Sequence, residues 1–399
     1  MKKYLFIYGI LDEGGAQHVM LDIFNNFDYE HNEVTLLQIT GGGHRRGEVN
    51  SDVRVIEAWP DYCKSFSFAY HCSNDLHFDW FLRHRFLKTL NGEHFDVAIS
   101  FLEGMPLKVH AMITEVADRN YSWVHVDLDN FPYEVSQFRK GEEISAYNKM
   151  DGVVCVAADT AKAFQRRFPA CTTSVQVIYN PIDIAKIEEL SDKFQVSKVS
   201  GFSEVSSFGA REQSSEAGFN EVSSFREGAE FKIAVCGRLS EQKKLDRVIR
   251  LARRIKDEGL KIKIQLIGDG DLREELSKLS ELSGVEDVVE FLGFQRNPFP
   301  YVKAADMLLS TSGYEGFSLV ICEAMALGVP VVATKTAGPM EILDNDRYGL
   351  LCEHDDESIY QAVKRMYEDA ELRRHYSEVG KERVKEFSVE RTMKEIYEL

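Results

Sequence analysis

Short runs of β-branched, aromatic and aliphatic residues recur along the chain: Tyr4–Ile10, Val34–Ile39, Val53–Ile56, Asp96–Ser100, Tyr121–Val126, Val153–Val156 and Val175–Tyr179. Between them apolar positions return at every third or fourth residue, the spacing of a helix with one buried face. After Asn180-Pro181-Ile182-Asp183 the alternation starts again, with Lys232–Cys236, Ile262–Ile267, Val288–Phe291, Met307–Ser310 and Val329–Ala333. Near-continuous apolar strands separated by helices predict parallel sheets covered on both faces, so the expected fold class is α/β with two Rossmann-like domains. Ligands in such sheets bind beyond the carboxyl ends of the strands, which makes the cleft between the two domains the expected site.

A chain of 399 residues exceeds what one core usually serves. The pattern divides it into a first Rossmann-like domain over 1–182, a linker over 183–230, a second Rossmann-like domain over 231–386 and a closing amphipathic segment, 387–399, suited to cross back to the first domain. The linker is rich in Ser, Gly and Glu and carries a near-duplicate, Gly201-Phe-Ser-Glu-Val-Ser-Ser-Phe208 returning as Gly218-Phe-Asn-Glu-Val-Ser-Ser-Phe225. Two copies are too few for a solenoid, so a disordered or loosely packed insertion is expected; its phenylalanines leave a folded binding element open.

Charge narrows the partners. The net charge is -17 and both halves are acidic, which removes the long-range attraction that nucleic-acid binders rely on. The start, Met1-Lys2-Lys3 before an apolar run, mimics a signal peptide, but Asp12, Glu13, Gly14 and Gly15 follow without a small-residue cleavage site, so it reads as a first strand. With no apolar run of about 18 residues, a cytoplasmic protein with at most peripheral membrane contact is expected. Seven widely spaced cysteines without a Cys-x-x-Cys pair, and histidines without zinc-site spacing, predict reduced thiols and no structural metal.

Candidate chemistry concentrates in the second half. The strand ending at Cys236 runs into Gly237-Arg238-Leu239-Ser240-Glu241-Gln242-Lys243-Lys244, which sets a guanidinium and an ammonium just past a carboxyl edge, where both can reach one diphosphate. Alone, that segment reads more simply as surface charge on a loop. The strand ending at Ser310 leads through Gly313-Tyr314-Glu315-Gly316-Phe317-Ser318-Leu319 into a helix whose first N–H groups suit an anion. Glu323 lies one turn after Leu319 and two after Glu315, so both carboxylates can face one cleft. Carboxylates beside a phosphate site make sense if sugar hydroxyls or a developing cation need them.

The run from Gly313 to Thr334, Gly-Tyr-Glu-Gly-Phe-Ser-Leu-Val-Ile-Cys-Glu-Ala-Met-Ala-Leu-Gly-Val-Pro-Val-Val-Ala-Thr, resembles the donor motif of family 4 glycosyltransferases. Gly237-Arg238-Leu239 with Gln242-Lys243, Gly268-Asp269-Gly270, Asn297-Pro298, Ala305-Asp306 and Asn180-Pro181-Ile182-Asp183 stand in that family's order. The resemblance implies a GT-B fold, a nucleotide-diphosphate sugar donor, most often a UDP-sugar, retention of anomeric configuration, and neither metal nor cofactor. It assigns the diphosphate to Arg238 and Lys243 with the loop at Gly237 and the backbone of Gly316, Phe317, Ser318 and Leu319, the ribose to Glu323, and the donor sugar to Glu315. The base falls to Phe294, Gln295 and Asn297. In the first half, Gly14 and Gly15 match the glycine loop that approaches the phosphates, and His125, at a strand end, matches a histidine near the sugar.

The implied mechanism is front-side displacement, in which the departing phosphate takes the acceptor's proton. The acceptor is expected to be a carbohydrate or lipid-linked glycan of capsule, lipopolysaccharide or another surface glycan. Asp127-Leu128-Asp129 resembles a metal motif of the other large transferase fold, but two carboxylates are a weak signal; these, with Glu103, are read as lining the acceptor side. The aromatic and basic segment Phe78 to Lys88 suits an anionic membrane surface; an ordinary helix with one core face accounts for it equally well. A catalytically silent partner subunit and a nucleotide-sugar epimerase of the same architecture remain as alternatives.

Overall fold

A computed structural model describes residues 1–12, 14–76, 78–128, 137–193 and 230–399. The repeat of the linker and Asp129 lie outside the described residues. Two parallel sheets form, one in each half. The first has seven strands: β1 (Lys2–Tyr8), β2 (Asn32–Thr40), β3 (Arg54–Trp59), β4 (Phe95–Ser100), β5 (Ala117–Val124), β6 (Gly152–Cys155) and β7 (Ser174–Val177), in the order β3-β2-β1-β4-β5-β6-β7. The second has six: β8 (Phe231–Cys236), β9 (Ile262–Ile267), β10 (Val289–Gly293), β11 (Met307–Ser310), β12 (Val331–Thr334) and β13 (Leu350–Cys352), in the order β10-β9-β8-β11-β12-β13. The α/β class and the two Rossmann-like sheets read from the sequence are both present.

Each order reverses direction once, between β1 and β4 and again between β8 and β11. At such a switch point the loops leaving neighbouring strands diverge and open a crevice at the carboxyl edge. The loops at issue are therefore those after Tyr8, Ser100, Cys236 and Ser310. The strands are buried on both faces, as parallel strands require: Leu5, Phe6 and Ile7 of β1 and Ile233 and Ala234 of β8 have no exposed surface. Helices supply the cover with one apolar stripe each. Asp246–Asp257 turns Val248, Ile249, Leu251, Ala252 and Ile255 inward and leaves its charges outside.

The chain end ties the halves together. Phe387, wholly buried, packs between Tyr179 and Phe317, at ring distances of 5.0 and 5.3 Å, and its backbone carbonyl accepts from Ile182 N–H at 2.8 Å. The last helix, Val389–Glu398, then lies on the first domain: Thr392 donates to the Tyr179 carbonyl at 3.0 Å and the Tyr397 hydroxyl accepts from Asp28 N–H at 2.8 Å. All seven cysteines are unpaired. Among the described residues no helix is long and apolar enough to cross a membrane.

Candidate active site

Past β8 the chain turns through Gly237 and Arg238, and a single 3-10 turn, Glu241–Lys243, aims the lysine back under the strand end. A carbon added at Gly237, whose φ is +146°, would lie 3.2 Å from the Lys243 side chain, so the ammonium stem runs flush against bare backbone. Past β11 the loop Thr311–Ser318 closes over it. Gly313 N–H donates to the Gln242 carbonyl at 2.8 Å, Gln242 Nε2 to the Tyr314 carbonyl at 3.0 Å, and the Thr311 hydroxyl to the Lys243 carbonyl at 2.9 Å. These bonds make one rigid unit of two loops distant in sequence.

Inside it, Lys243 Nζ lies 2.5 Å from Glu315 Oε1, which also accepts from the Ser312 hydroxyl at 2.8 Å. Glu315 is 7% exposed. An ammonium carries three donors and this one spends a single donor on Glu315; among the described residues no other protein acceptor takes the remaining two. Arg238 is exposed at the same rim, in a small crevice lined also by Cys236, Gly237, Ser310 and Ser312. A cation paired to a buried carboxylate, with two donors to spare, can hold an anion without moving.

The helix Leu319–Ala326 starts beside this pair, with Ser318 at its N-cap and its first bond running from Cys322 N–H to the Ser318 carbonyl at 3.3 Å. The N–H groups of its first turn have no acceptor within the helix. Phe317 spends its side chain elsewhere, in the seam with Tyr179 and Phe387, so only its backbone is free to serve a ligand. Glu323, one turn in, is half-buried; burial raises its pKa to about 7, the charge of Asp22 adds to the rise, and Lys243 opposes it. Asp22 belongs to the first domain, on the helix Gly15–Asn25 that Gly14 caps, and is paired with Lys186 Nζ at 3.0 Å and His18 at 3.3 Å. The glycine loop and the Glu323 helix thus face each other across the cleft.

His125 is the first residue beyond β5. Its ring lies 4.8 Å from that of Phe101, and burial pushes its pKa down to about 3, so the imidazole is neutral at physiological pH. Its Nε2 is buried without a hydrogen-bond partner. Phe294 is 61% exposed after β10, as an aromatic surface open to a ligand would be. Gln295 donates to the Leu292 carbonyl at 2.7 Å. Asn297 is differently employed: its amide donates to the carbonyls of Leu190 at 2.8 Å and Lys193 at 3.1 Å, clipping the loop to the inter-domain connection. Glu103, read from the sequence as lining the acceptor side, is wholly buried and lines no open surface. Asp127 is 9% exposed.

Residues 219–383 match the family model of glycosyl transferases group 1. The chain is 37% identical over 153 residues to an N-acetylgalactosamine-N,N'-diacetylbacillosaminyl-diphospho-undecaprenol 4-alpha-N-acetylgalactosaminyltransferase of Campylobacter jejuni, a match covering 38% of this chain and 41% of that protein. It is 33% identical over 147 residues to the lipopolysaccharide core biosynthesis glycosyltransferase LpsE of Rhizobium meliloti, covering 37% of this chain and 42% of that one. The chain therefore spans about two fifths of the length of these relatives. Over its whole length it superposes on Anabaena HepE in complex with UDP and glucose, with a TM-score of 0.72, 18% identity and 99% of that chain covered. Staphylococcus aureus TarM gives a TM-score of 0.71 at 14% identity, covering 100% of this chain and 99% of that one. The fold is GT-B. In the GT-B cleft the loops after β8 and β11 belong to one wall, and the loops after β1 and β5 to the other.

Proposed function

We propose that the chain is a retaining, metal-independent glycosyltransferase that moves a sugar from a nucleotide diphosphate, a UDP-sugar, to a carbohydrate or lipid-linked glycan acceptor in surface-glycan assembly. The observation that carries this reading is the Lys243–Glu315 pair held at the carboxyl ends of β8 and β11, next to the start of the Leu319 helix. On this reading Lys243, Arg238 and the backbone of Gly237 and of Gly316 to Leu319 take the diphosphate. Glu323 takes the ribose, Glu315 the donor sugar from one side and neutral His125 from the other, and Phe294 with the backbone near Gln295 the base. Gly14 and Gly15 close on the phosphates. Loss of the sugar leaves charge on the diphosphate, and fixed cations and helix N–H groups stabilise that charge most where it develops. The departing phosphate then accepts the acceptor's proton on the same face, so configuration is kept. The relatives named for diphospho-undecaprenol and lipopolysaccharide core support the choice of acceptor, and the UDP complexes of a GT-B neighbour the choice of nucleotide.

A thermal-shift panel of UDP-, GDP-, ADP- and CDP-sugars tests the donor site. A native-state ligand at a hundredfold excess over its Kd stabilises by about 2.7 kcal/mol. A rise with UDP-sugars is the expected result, and no rise with any of the four removes the site. Intact Arg238, Lys243, Glu315 and Glu323 argue against a silent partner subunit; transfer product formed only with acceptor present separates an enzyme from such a subunit and from an epimerase.

Two further outcomes follow. Ribose hydroxyls donate more strongly to a carboxylate than to a neutral acid, and Glu323 ionises near 7. Donor affinity should therefore rise about tenfold between about pH 6 and pH 8. Calorimetry across that range should show a flat, weaker profile for Glu323→Gln; an equal slope in the variant assigns the titration elsewhere. The second concerns the membrane. Six of the ten large apolar side chains exposed among the described residues fall between 62 and 81: Tyr62, Phe68, Leu76, Phe78, Trp80 and Phe81. The helix Trp80–Leu90 does keep a core face, Leu82, Phe86 and Leu90, yet Phe68, Phe78 and Trp80 all pack on Phe81 outside it, at 5.2 to 5.5 Å. Lys64 opens the helix Lys64–Asn74 that carries Phe68, and Arg83, paired with Glu115, and Lys88 lie on the helix of Phe81. Aromatic side chains with basic neighbours favour a bilayer interface. The protein should float with anionic vesicles, and Trp80→Ser with Phe81→Asp should abolish flotation while sparing transfer to a water-soluble acceptor. A wild-type protein that stays at the bottom of the gradient sinks the membrane reading.

A further inference from the structure

Glu103 sits at the carboxyl end of β4, one residue before Gly104, which opens the helix Met105–Met112. Its carboxyl is fully buried, an expensive place for a charge. One oxygen is put to clear use: Oε1 accepts from the N–H groups of both His125 and Val126, the latter at 3.0 Å. These are the first two residues beyond β5, where the chain leaves its ladder with β4 and β6. The other oxygen is buried with no hydrogen-bond partner, and burial raises the acid's pKa to about 7. A carboxyl oxygen accepts in either protonation state, so both N–H bonds persist when the acid is neutral and strengthen when it ionises.

What those bonds hold in place touches the donor wall. A carbon added at Gly316 would fall 2.1 Å from the His125 carbonyl oxygen, so the donor loop seats directly on the backbone that Glu103 fixes. The His125 ring hangs from the same residue, confined by Phe101 on its one described aromatic contact. Without the carboxyl, two buried N–H groups would lose their acceptor and the turn its register.

We propose that Glu103 is a positioning residue, the anchor that sets the His125–Val126 turn and with it the aim of the His125 ring at the donor sugar. This rests on the sugar-side role given to His125 above. Glu103 itself meets no substrate; a displacement of the ring by about 1 Å is enough to cost on the order of a hundredfold in turnover.

Kinetics of a double-mutant cycle on the full-length protein test it. Glu103→Gln keeps the carbonyl acceptor and should retain kcat within about threefold, whereas Glu103→Ala should lose about a hundredfold in kcat with donor KM changed by less than about threefold. In the Glu103→Ala/His125→Ala variant the loss should not exceed that of His125→Ala by more than about threefold, because the anchor acts through the ring. If the alanine variant does not fold, Glu103→Asp, which withdraws the carboxyl by one methylene, replaces it in the cycle with the same expectation. A glutamine variant as impaired as the alanine overturns the proposal. So do losses that multiply in full in the double variant while His125→Ala alone is impaired, and in that case the reading of His125 survives. Should His125→Ala keep kcat within about threefold, that reading fails first and takes the anchor with it.

Discussion

Lys243→Ala should lower kcat by about a hundred- to a thousandfold, the loss typical of one preorganised donor to developing negative charge, about 3–4 kcal/mol. Donor KM should change far less, because Arg238 and the helix start still hold the ground-state diphosphate. The same change leaves Glu315 buried with Ser312 Oγ at 2.8 Å and Gln242 Nε2 at 3.5 Å as its remaining donors. Breaking a fully buried pair costs about 3–5 kcal/mol, but Lys243 keeps a fifth of its side chain exposed, so a stability loss of about 1–2 kcal/mol is expected. Steady-state kinetics beside urea unfolding separate the two effects. Turnover within about threefold of wild type would remove the leaving-group assignment, and Lys243→Ala/Glu315→Gln should recover stability without recovering kcat.

Twelve of the thirteen strands announce themselves as apolar β-branched runs between helical stretches. The thirteenth, Leu350–Cys352, does not, because three residues are too short for any period to show. Where strand limits move, a particular bond moves them. The run Tyr121–Val126 reads as strand to its end, yet β5 stops at Val124, since the next two N–H groups turn from the ladder to Glu103. At the other end β5 begins at Ala117, taking in polar Asp118, Arg119 and Asn120, of which Arg119 and Asn120 pair with Val97 and Ala98 of β4 although nothing apolar marks them.

The candidate site is legible as a list of residues and much less so as a set of contacts. Arg238, Lys243, Glu315 and Glu323 follow from strand ends and helical spacing. That Lys243 and Glu315 pair with each other does not, because 72 positions separate them and only the β8–β11 adjacency brings them to 2.5 Å. Asn297 shows the converse. It stands where a base contact would, but its amide serves the carbonyls of Leu190 and Lys193, a job no local pattern reveals. Glu103 is the clearest correction: read as lining the acceptor side, an acid at a strand end looks like a ligand group until the fold buries it and places two peptide N–H groups against it.

Gly316→Ala should be nearly as damaging as loss of Lys243, by a different route. The added methyl would meet the His125 carbonyl oxygen at 2.1 Å and the Val126 Cα at 3.2 Å, both backbone, so neither can swing aside and the two domains must part. Gly313 gives the control within the same loop. A methyl there would lie 3.4 Å from the flexible Lys244 side chain, ordinary contact. Parting the walls by an ångström misaligns a donor held on one against an acceptor held on the other, and such misplacement costs about a hundredfold in kcat. Nucleotide diphosphate, which rests chiefly on the donor wall, should bind to Gly316→Ala within about fivefold of wild type by calorimetry. Gly313→Ala should match the wild type in both measurements. If Gly316→Ala keeps full turnover, the contact between the donor loop and the His125 backbone is dispensable and catalysis does not need the walls this close; if it loses nucleotide binding as steeply as turnover, the glycine serves the phosphates rather than closure.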